Sequence, residues 1–378
     1  LTWARERAGM SAEDAAKAIG LRGEHAAARL LEMETGEREP TRPQLIKLAE
    51  RYRRPILVFY LPKPPAPGTR THDFRTLPES EPGSEARLNA LVRNMKVRQA
   101  LVKNALEDLE EEEPLRFVGS VTLERGAAGI AQAMLDELQL NINEYRAQRT
   151  FGEAFQMLRD AVERIGVYVI LMGNLGHYST NINPKTFRGF ALADRVAPFI
   201  VINENDSRSA WSFTLLHELA HVFLGQSGIS GYDGDQVVER VCDEAAAMVL
   251  VTRADLNDLR VQGLALNDQV DLISEFAVAY KTSRKMLAYN LLAQGRISND
   301  IYKRLSDRFD VERLEVVRRA TDGGPDYYVV RRHRLGRRLV KLVERMITSG
   351  VLTSTKAGHV LGVKPTAVSR LTNNSNVA

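Results

Sequence analysis

The sequence predicts an α+β protein that is mainly helical, with its strands confined to one part of the chain. Apolar residues recur at three- and four-residue steps through most of the sequence, which is the spacing of amphipathic helices. Short apolar runs rich in β-branched and aromatic residues occur between positions 166 and 203. A proline-rich run at 62–68 separates the first helices from the rest. We therefore expect an N-terminal helix-turn-helix bundle, a helical middle region, a small α+β domain and a helical C-terminal domain.

Composition limits the classes of protein that the chain can be. Its 378 residues are enough for two or three domains, and 44% hydrophobic with 26% charged residues is ordinary for globular proteins. The single cysteine, Cys242, excludes an intrachain disulfide framework. There is no run of 18 apolar residues, and Leu1–Arg7 does not resemble a signal peptide. We expect a cytoplasmic protein without a membrane partner. The net charge of +4 is weakly basic.

The first 62 residues are predicted to form short helices that include a helix-turn-helix unit. Such units commonly show a small residue, a glycine four positions later and an apolar residue six positions after that. Ala16 and Gly20 fit the first two positions, but the third falls on Ala26, whereas Leu30 suits the apolar role better. That choice implies about four extra residues in the turn. The predicted helices cover Ala12–Ile19, a segment ending at 30–36, and Gln44–Tyr52.

This module is expected to place a recognition helix in the major groove of DNA, with Arg22, His25 and Arg29 as candidate contacts. The longer turn argues against direct reading of bases by this module. A protein-binding or dimerising role is the alternative.

A long amphipathic helix is predicted to begin at Ser84, followed by further helices to about Arg164. The acidic run 110–114 that follows is interpreted as a solvated helix end stopped by proline, with an interaction tail as the alternative. The apolar stripe of the long helix consists of Leu88, Leu91, Val92, Met95, Val102, Leu106 and Leu109.

Three strands are predicted at 166–171, 187–192 and 198–203, and a fourth at Tyr327–Val330. Asp206 or Ser207 is a suitable N-cap for the next helix, and Gly225 is a suitable stop for it. The strand at 187–192 could pair with an extended peptide at the edge of the sheet.

The motif with the most specific chemistry is His217-Glu218-Leu219-Ala220-His221. Two histidines four residues apart lie on one face of a helix, one turn apart, where both imidazoles can bind one metal ion. Glu218 between them is placed to take a proton from an attacking water. This is the H-E-x-x-H arrangement of zinc peptidases.

A second predicted helix, at about 236–250, can complete the ligand set. Glu239 and Asp243 are four residues apart on it, so Glu239 can be the third ligand while Asp243 accepts the free N–H of His217. Cys242 could also be a ligand, but it points about 100° away from Asp243, which favours a buried packing role.

These segments resemble the ImmA/IrrE-type metallopeptidases. The resemblance is carried by 187–203, by 211–228 with its two histidines, and by 239–246, which matches the family's E-x-x-(A/C)-(N/D) signature. Residues 1–60 resemble the XRE-type (lambda-repressor-like) helix-turn-helix that many members carry at their N-terminus. The likeness covers about 1–75 and 160–300.

The resemblance implies a small gluzincin-like peptidase domain with zinc bound by His217, His221 and Glu239 and with Glu218 as catalytic base. It also implies that the target is a repressor-like protein of a mobile element or stress regulon. The residue that stabilises the transition state stays open, with Tyr232, His177 and Tyr178 as candidates. The resulting boundaries are 1–62 for the helix-turn-helix, 63–84 for the linker, 85–310 for the peptidase domain including helices 85–160, and 311–378 for a basic C-terminal domain.

The C-terminal domain holds a possible second helix-turn-helix. Gly358, Gly362 and Val368 have the expected spacing, and the run 331–338 is the densest cluster of positive charge in the chain. A solvated basic surface is the alternative for that run. The candidate DNA contacts here are Arg337, Arg338, Lys364, Thr366, Ser369 and Arg370.

We therefore expect a zinc endopeptidase fused to a DNA-binding regulator that cleaves a repressor- or antitoxin-like protein, in stress response or mobile-element induction. The alternative is a transcriptional regulator or antitoxin whose zinc is structural or sensory. A third hypothesis is an interaction scaffold that binds its partner through helices 85–150. A homodimer is left open.

Overall fold

The computed structural model describes residues 1–61, 63, 84–177, 180–229, 236–319 and 326–372, with the backbone alone for 229 and 313–319. The predicted proline-rich linker lies almost entirely outside the described residues. The described chain is mainly helical with one four-stranded sheet, so the predicted fold class is confirmed. None of the described helices is both long and apolar enough to cross a bilayer.

The helices and strands follow in chain order. The helices are α1 Thr2–Arg7, α2 Ala12–Ala18, α3 Ala26–Thr35, α4 Arg42–Tyr52, α5 Ser84–Glu107, α6 Gly126–Leu138, α7 Ile142–Arg146, α8 Phe151–Arg164, α9 Arg208–Phe223, α10 Gln236–Leu250, α11 Arg253–Asn257, α12 Leu266–Ala279, α13 Arg284–Ala293, α14 Asn299–Arg319, α15 Tyr327–Leu335, α16 Arg337–Thr348, α17 Ser354–Leu361 and α18 Pro365–Thr372. The strands are β1 Tyr168–Leu171, β2 Gly189–Leu192, β3 Phe199–Ile202 and β4 Gly228–Ile229. Short 3₁₀ turns occupy 56–60 and 123–125.

The described chain divides into two compact units, and the first comprises 1–94 with 174–186. Its N-terminal helices are bounded by local signals: Ser11 Oγ accepts the amide of Asp14 at 3.1 Å, and Thr41 with Gln44 forms a reciprocal capping box. Their apolar faces meet in a small core that includes Ala15, Ala16, Ile19, Leu30, Met33, Leu48 and Tyr52. The three predicted helices are confirmed as α2, α3 and α4, and every end that the sequence predicted lies within two residues of the observed one.

The connection between α2 and α3 is long for a helix-turn-helix. Seven residues, 19–25, separate the end of α2 from the start of α3. Leu30 is fully buried in the core, so it fills the apolar role that the spacing indicated. The extra residues inferred from the sequence therefore lie between the two helices.

The long helix α5 buries the stripe that its sequence predicts. Six of the seven stripe residues are buried, and the seventh, Leu109, lies just beyond the end of the helix. The acidic residues that follow are exposed, and Glu110 adopts a left-handed backbone conformation there. They lie in solvent beyond the end of α5, as predicted, but the helix already ends at Glu107, seven residues before Pro114, so the proline does not stop it.

The second unit, 95–173 with 187–372, contains the sheet, whose strand order is β1-β3-β2-β4. β1 and β3 are parallel, with Tyr168 opposite Phe199, and β2 is antiparallel to β3 and to β4. All residues of β1, β2 and β3 are buried, because helices cover the sheet. α8 packs on β1, and α9 packs on β2 and β3. The three strand predictions in this region are confirmed.

The strand predicted at Tyr327–Val330 is wrong, because these residues begin α15. Asp326 caps this helix, and its Oδ1 accepts the amides of Tyr328 at 2.8 Å and Val329 at 3.4 Å. A four-residue apolar run cannot by itself distinguish a strand from the first turn of a helix. The capping carboxylate was the sequence signal for the helix.

Candidate metal centre

The helices α9 and α10 bring three side chains to one point in the second unit. α9 is buried on nearly every side, with His217 and His221 only 4% and 5% exposed. Ser207 occupies its N-cap position without a side-chain capping bond, and Gly225 follows its end with φ of +70°. α10 packs against α9 and contributes Glu239 from its first turn.

The donor atoms of these residues lie at mutual distances suited to one metal ion. His217 Nε2 is 3.1 Å from His221 Nε2 and 3.4 Å from Glu239 Oε2, and His221 Nε2 is 3.2 Å from Glu239 Oε1. Two ligands each about 2.1 Å from a tetrahedral zinc ion are about 3.4 Å apart. The two imidazoles and one carboxylate therefore fit zinc in both chemistry and spacing, with a fourth position left for water. Among the described residues, these three form the group able to hold a metal.

The charges around His217 differ from those of an ordinary buried histidine. Burial alone would lower its pKa, but Asp243, Glu239 and Glu218 raise the pKa of His217 to about 10. Burial would likewise raise the pKa of Glu239, yet the two histidines hold it well below its usual value. Three carboxylates thus surround the two imidazoles, and a divalent cation would balance their negative charge.

Asp243 lies behind His217 rather than in the ligand group. Its Oδ1 is 2.9 Å from His217 Nδ1, which leaves Nε2 directed to the other donors. A carboxylate in this position orients the ring and makes it a stronger ligand. Cys242 is fully buried, and burial together with the nearby carboxylates raises the pKa of its thiol. Its thiol therefore stays protonated, in keeping with a packing role.

Glu218 is fully buried and lies against β2. A Cβ atom at Gly189 would come within 2.8 Å of Glu218 Oε1 and 2.7 Å of Thr214 Cγ2. Only glycine therefore leaves room for this carboxylate at its present position. Sequence reasoning missed Gly189, although a glycine inside a strand is itself a signal of close approach.

The candidates for stabilising the transition state stay predictions. Tyr178 and Tyr232 lie outside the described residues, and His177 belongs to the first unit. The expectation of an open edge at 187–192 needs correction. β2 is paired on both sides, with β4 opposite Phe190 and Ala191.

The candidate DNA contacts of the N-terminal module lie around the start of α3. Arg22 and His25 are exposed, and His25 occupies the N-cap position of α3 without a side-chain capping bond. Arg29 is half-buried, and its guanidinium donates to the carbonyl of Arg22. Two of the three side chains are thus open to a ligand.

Much of the basic run 331–338 faces the protein. Arg331 is buried, and Arg334 pairs with Glu204. Arg338 donates to the carbonyl of Glu163 at 3.2 Å and lies over the ring of Tyr168. Arg337 is 62% exposed, although it lies 3.3 Å from Asp160. The run therefore attaches the C-terminal helices to the sheet, and of the two contacts predicted here Arg337 is the more accessible.

Two parts of the chain match models of known protein families, one around the metal centre and one at the N-terminal helices. Residues 163–292 match the family model described as the IrrE N-terminal-like domain of peptidase family M78. This segment contains both histidines and Glu239. The chain carries an IrrE-like domain. Residues 1–59 match a helix-turn-helix model, so the IrrE-like domain is joined to an N-terminal helix-turn-helix domain. Searches of curated proteins and of solved structures gave no match.

Proposed function

We propose that the chain is a zinc-dependent endopeptidase fused to a DNA-binding regulator, and that it cleaves a repressor- or antitoxin-like protein. The observation that carries this proposal is the group of His217, His221 and Glu239 with buried Glu218 next to it in sequence. A purely structural metal site has no need of a carboxylate base beside its ligands. The match to the IrrE-like peptidase family and the helix-turn-helix domain support the combination of activities.

In the proposed reaction each residue has a separate task. Zinc, when bound by the three ligands, would supply water activation at neutral pH and polarisation of the scissile carbonyl. Glu218 takes the proton of the attacking water and returns it to the leaving amine. Asp243 positions His217, and Gly189 keeps the space in which Glu218 holds its carboxylate.

The experiment is a cleavage assay with zinc-loaded protein and the repressor-like proteins encoded beside it. Wild-type protein should give one discrete cut, whereas Glu218→Gln should retain zinc and abolish cleavage. The matched control is Glu244→Gln, which makes the same change at an exposed position on α10 and should cleave normally. A Glu218→Gln protein that cleaves as well as wild type would contradict the peptidase proposal and favour a structural or sensory metal.

A further inference from the structure

We propose that residues 337–372 form a second DNA-binding unit, in which α18 enters the major groove of a DNA duplex. The match to a helix-turn-helix model, which supports DNA binding in the proposed function, covers only residues 1–59. The inference for the C-terminal unit rests on its backbone geometry, on the residues that hold its turn, and on the charge of its exposed surface.

The backbone of α17 and α18 has the geometry of a compact helix-turn-helix. Three residues, 362–364, join the two helices, and Gly362 adopts a left-handed conformation with φ of +62°. A Cβ atom at Gly358 would lie 2.8 Å from the carbonyl oxygen of Val363, so the turn packs directly on α17. Val368 is 2% exposed and anchors α18 in the core. The three positions singled out by spacing therefore each have a structural role.

The turn is held from behind by buried groups. Arg331 on α15 donates from Nη2 to the carbonyl oxygens of Leu361 at 3.0 Å and Gly362 at 2.7 Å, which caps the C-terminus of α17 with a positive charge. α16 packs against both α17 and α18 and buries Leu339, Val343 and Met346. The position of α18 is thus fixed before any ligand binds.

The outward surface of α17 and α18 has one sign of charge. No acidic residue occurs after Glu344. The exposed side chains at the start and along the outer face of α18 are Lys364, Thr366, Ser369 and Arg370, and those at the start of α17 are Ser354, Thr355 and Lys356. Lysine and arginine bind phosphates, and serine and threonine hydroxyls can bond phosphates or base edges. This combination at the start of a helix matches the way recognition helices contact DNA.

The N-terminal module offers a less uniform surface. Seven residues separate its α2 and α3, and exposed Glu24 and half-buried Glu32 lie close in sequence to Arg22 and half-buried Arg29. Carboxylates near a phosphate backbone reduce the electrostatic attraction. The observations therefore favour the C-terminal unit as a contact with DNA in its own right.

The first test measures binding of the full chain to a labelled duplex of mixed sequence by fluorescence anisotropy, over a series of salt concentrations. The variant Lys364→Gln/Arg370→Gln removes two exposed charges from the unit. The matched control is Lys303→Gln/Arg304→Gln, which removes two exposed charges from α14. The logarithm of the binding constant falls linearly with the logarithm of the salt concentration, and each lost phosphate contact makes this slope less steep by about 0.9. We expect the slope to fall by about two and the affinity at about 0.1 M salt to fall roughly 10- to 100-fold, with the control unchanged. Equal losses in both variants, or no loss in either, would overturn the proposal.

The second test locates the contact directly. Because Cys242 is fully buried, a thiol introduced by Thr366→Cys can be labelled selectively with an aryl azide. Illumination should link this position to the duplex, whereas the same label at Lys303→Cys should give no DNA adduct. Absence of an adduct from position 366 under conditions where the chain is bound to DNA contradicts the proposal. The Glu218→Gln protein should bind DNA as wild type does, so failure of the peptidase proposal would leave this result intact.

Discussion

A buried ion pair on α8 allows a quantitative test of how the C-terminal helices are attached to the sheet. Arg159 and Glu163 are 1% and 5% exposed, with Nε 3.3 Å from Oε1. The Arg159 guanidinium also donates to the carbonyl of His333 at 2.5 Å, to that of Arg334 at 3.2 Å and to that of Val169. It thus joins α8, β1 and α15 at one point.

Arg159→Met keeps the volume of the side chain but removes every one of these donors and leaves the Glu163 carboxylate buried without its partner. Removing one partner of a buried pair costs about 3–5 kcal/mol. The matched control is Arg149→Met, which breaks another Arg–Glu pair at i, i+4 at the start of the same helix, with Arg149 89% and Glu153 41% exposed. An exposed pair of this kind contributes about 0.3–0.5 kcal/mol.

The free energy of unfolding is measured by urea denaturation followed by circular dichroism at neutral pH. The reasoning predicts a loss of at least about 3 kcal/mol for Arg159→Met and less than about 1 kcal/mol for Arg149→Met. It would be refuted by similar small losses in both variants, since Arg159 would then not join the three elements.

Three further predictions concern the metal centre and the C-terminal unit. Gly189→Ala should displace the Glu218 carboxylate and lower kcat/KM for cleavage by about 100-fold, while zinc content stays at the wild-type value. Unchanged cleavage would show that the position of the carboxylate does not depend on the space at Gly189. Because the pKa of His217 is raised to about 10 without metal, zinc must displace a proton from this imidazole when it binds. Calorimetry at pH 8 should therefore detect the release of about one proton per zinc. The affinity for zinc should fall about tenfold for each unit by which the pH is lowered. A pH-independent affinity would contradict this. Gly362→Ala places a side chain on left-handed backbone and against Arg98 Nη2, so the melting temperature should fall measurably. The control is Gly350→Ala, where φ is also positive but the added Cβ meets open space, and the melting temperature should fall less.

Much of the metal centre could be predicted from the sequence because helices impose a fixed geometry on residues three and four positions apart. His217 and His221 had to share a face once α9 formed, and Glu239 and Asp243 had to share one on α10. The meeting of the two helices was inferred from the kinds of residues they present. The position of Asp243 at 2.9 Å from His217 agrees with that inference.

The features that could not be predicted from the sequence depend on contacts between distant parts of the chain. The basic run 331–338 suggested phosphate binding, yet Arg334 pairs with Glu204 and Arg338 binds Glu163, more than 100 residues away in each case. Charge in a sequence does not show which carboxylates will face it. The role of Gly189 was hidden for the same reason, since only the packing of α9 on β2 brings Glu218 to it.

The most direct test of the account is the metal content of purified protein, measured by mass spectrometry beside the His217→Ala, Glu239→Gln and Glu244→Gln variants. The account predicts about one zinc per chain in wild type and in Glu244→Gln, and loss of zinc in the two variants that remove a ligand. Wild-type protein that takes up no zinc when supplied with it, or equal zinc in all four proteins, would contradict it.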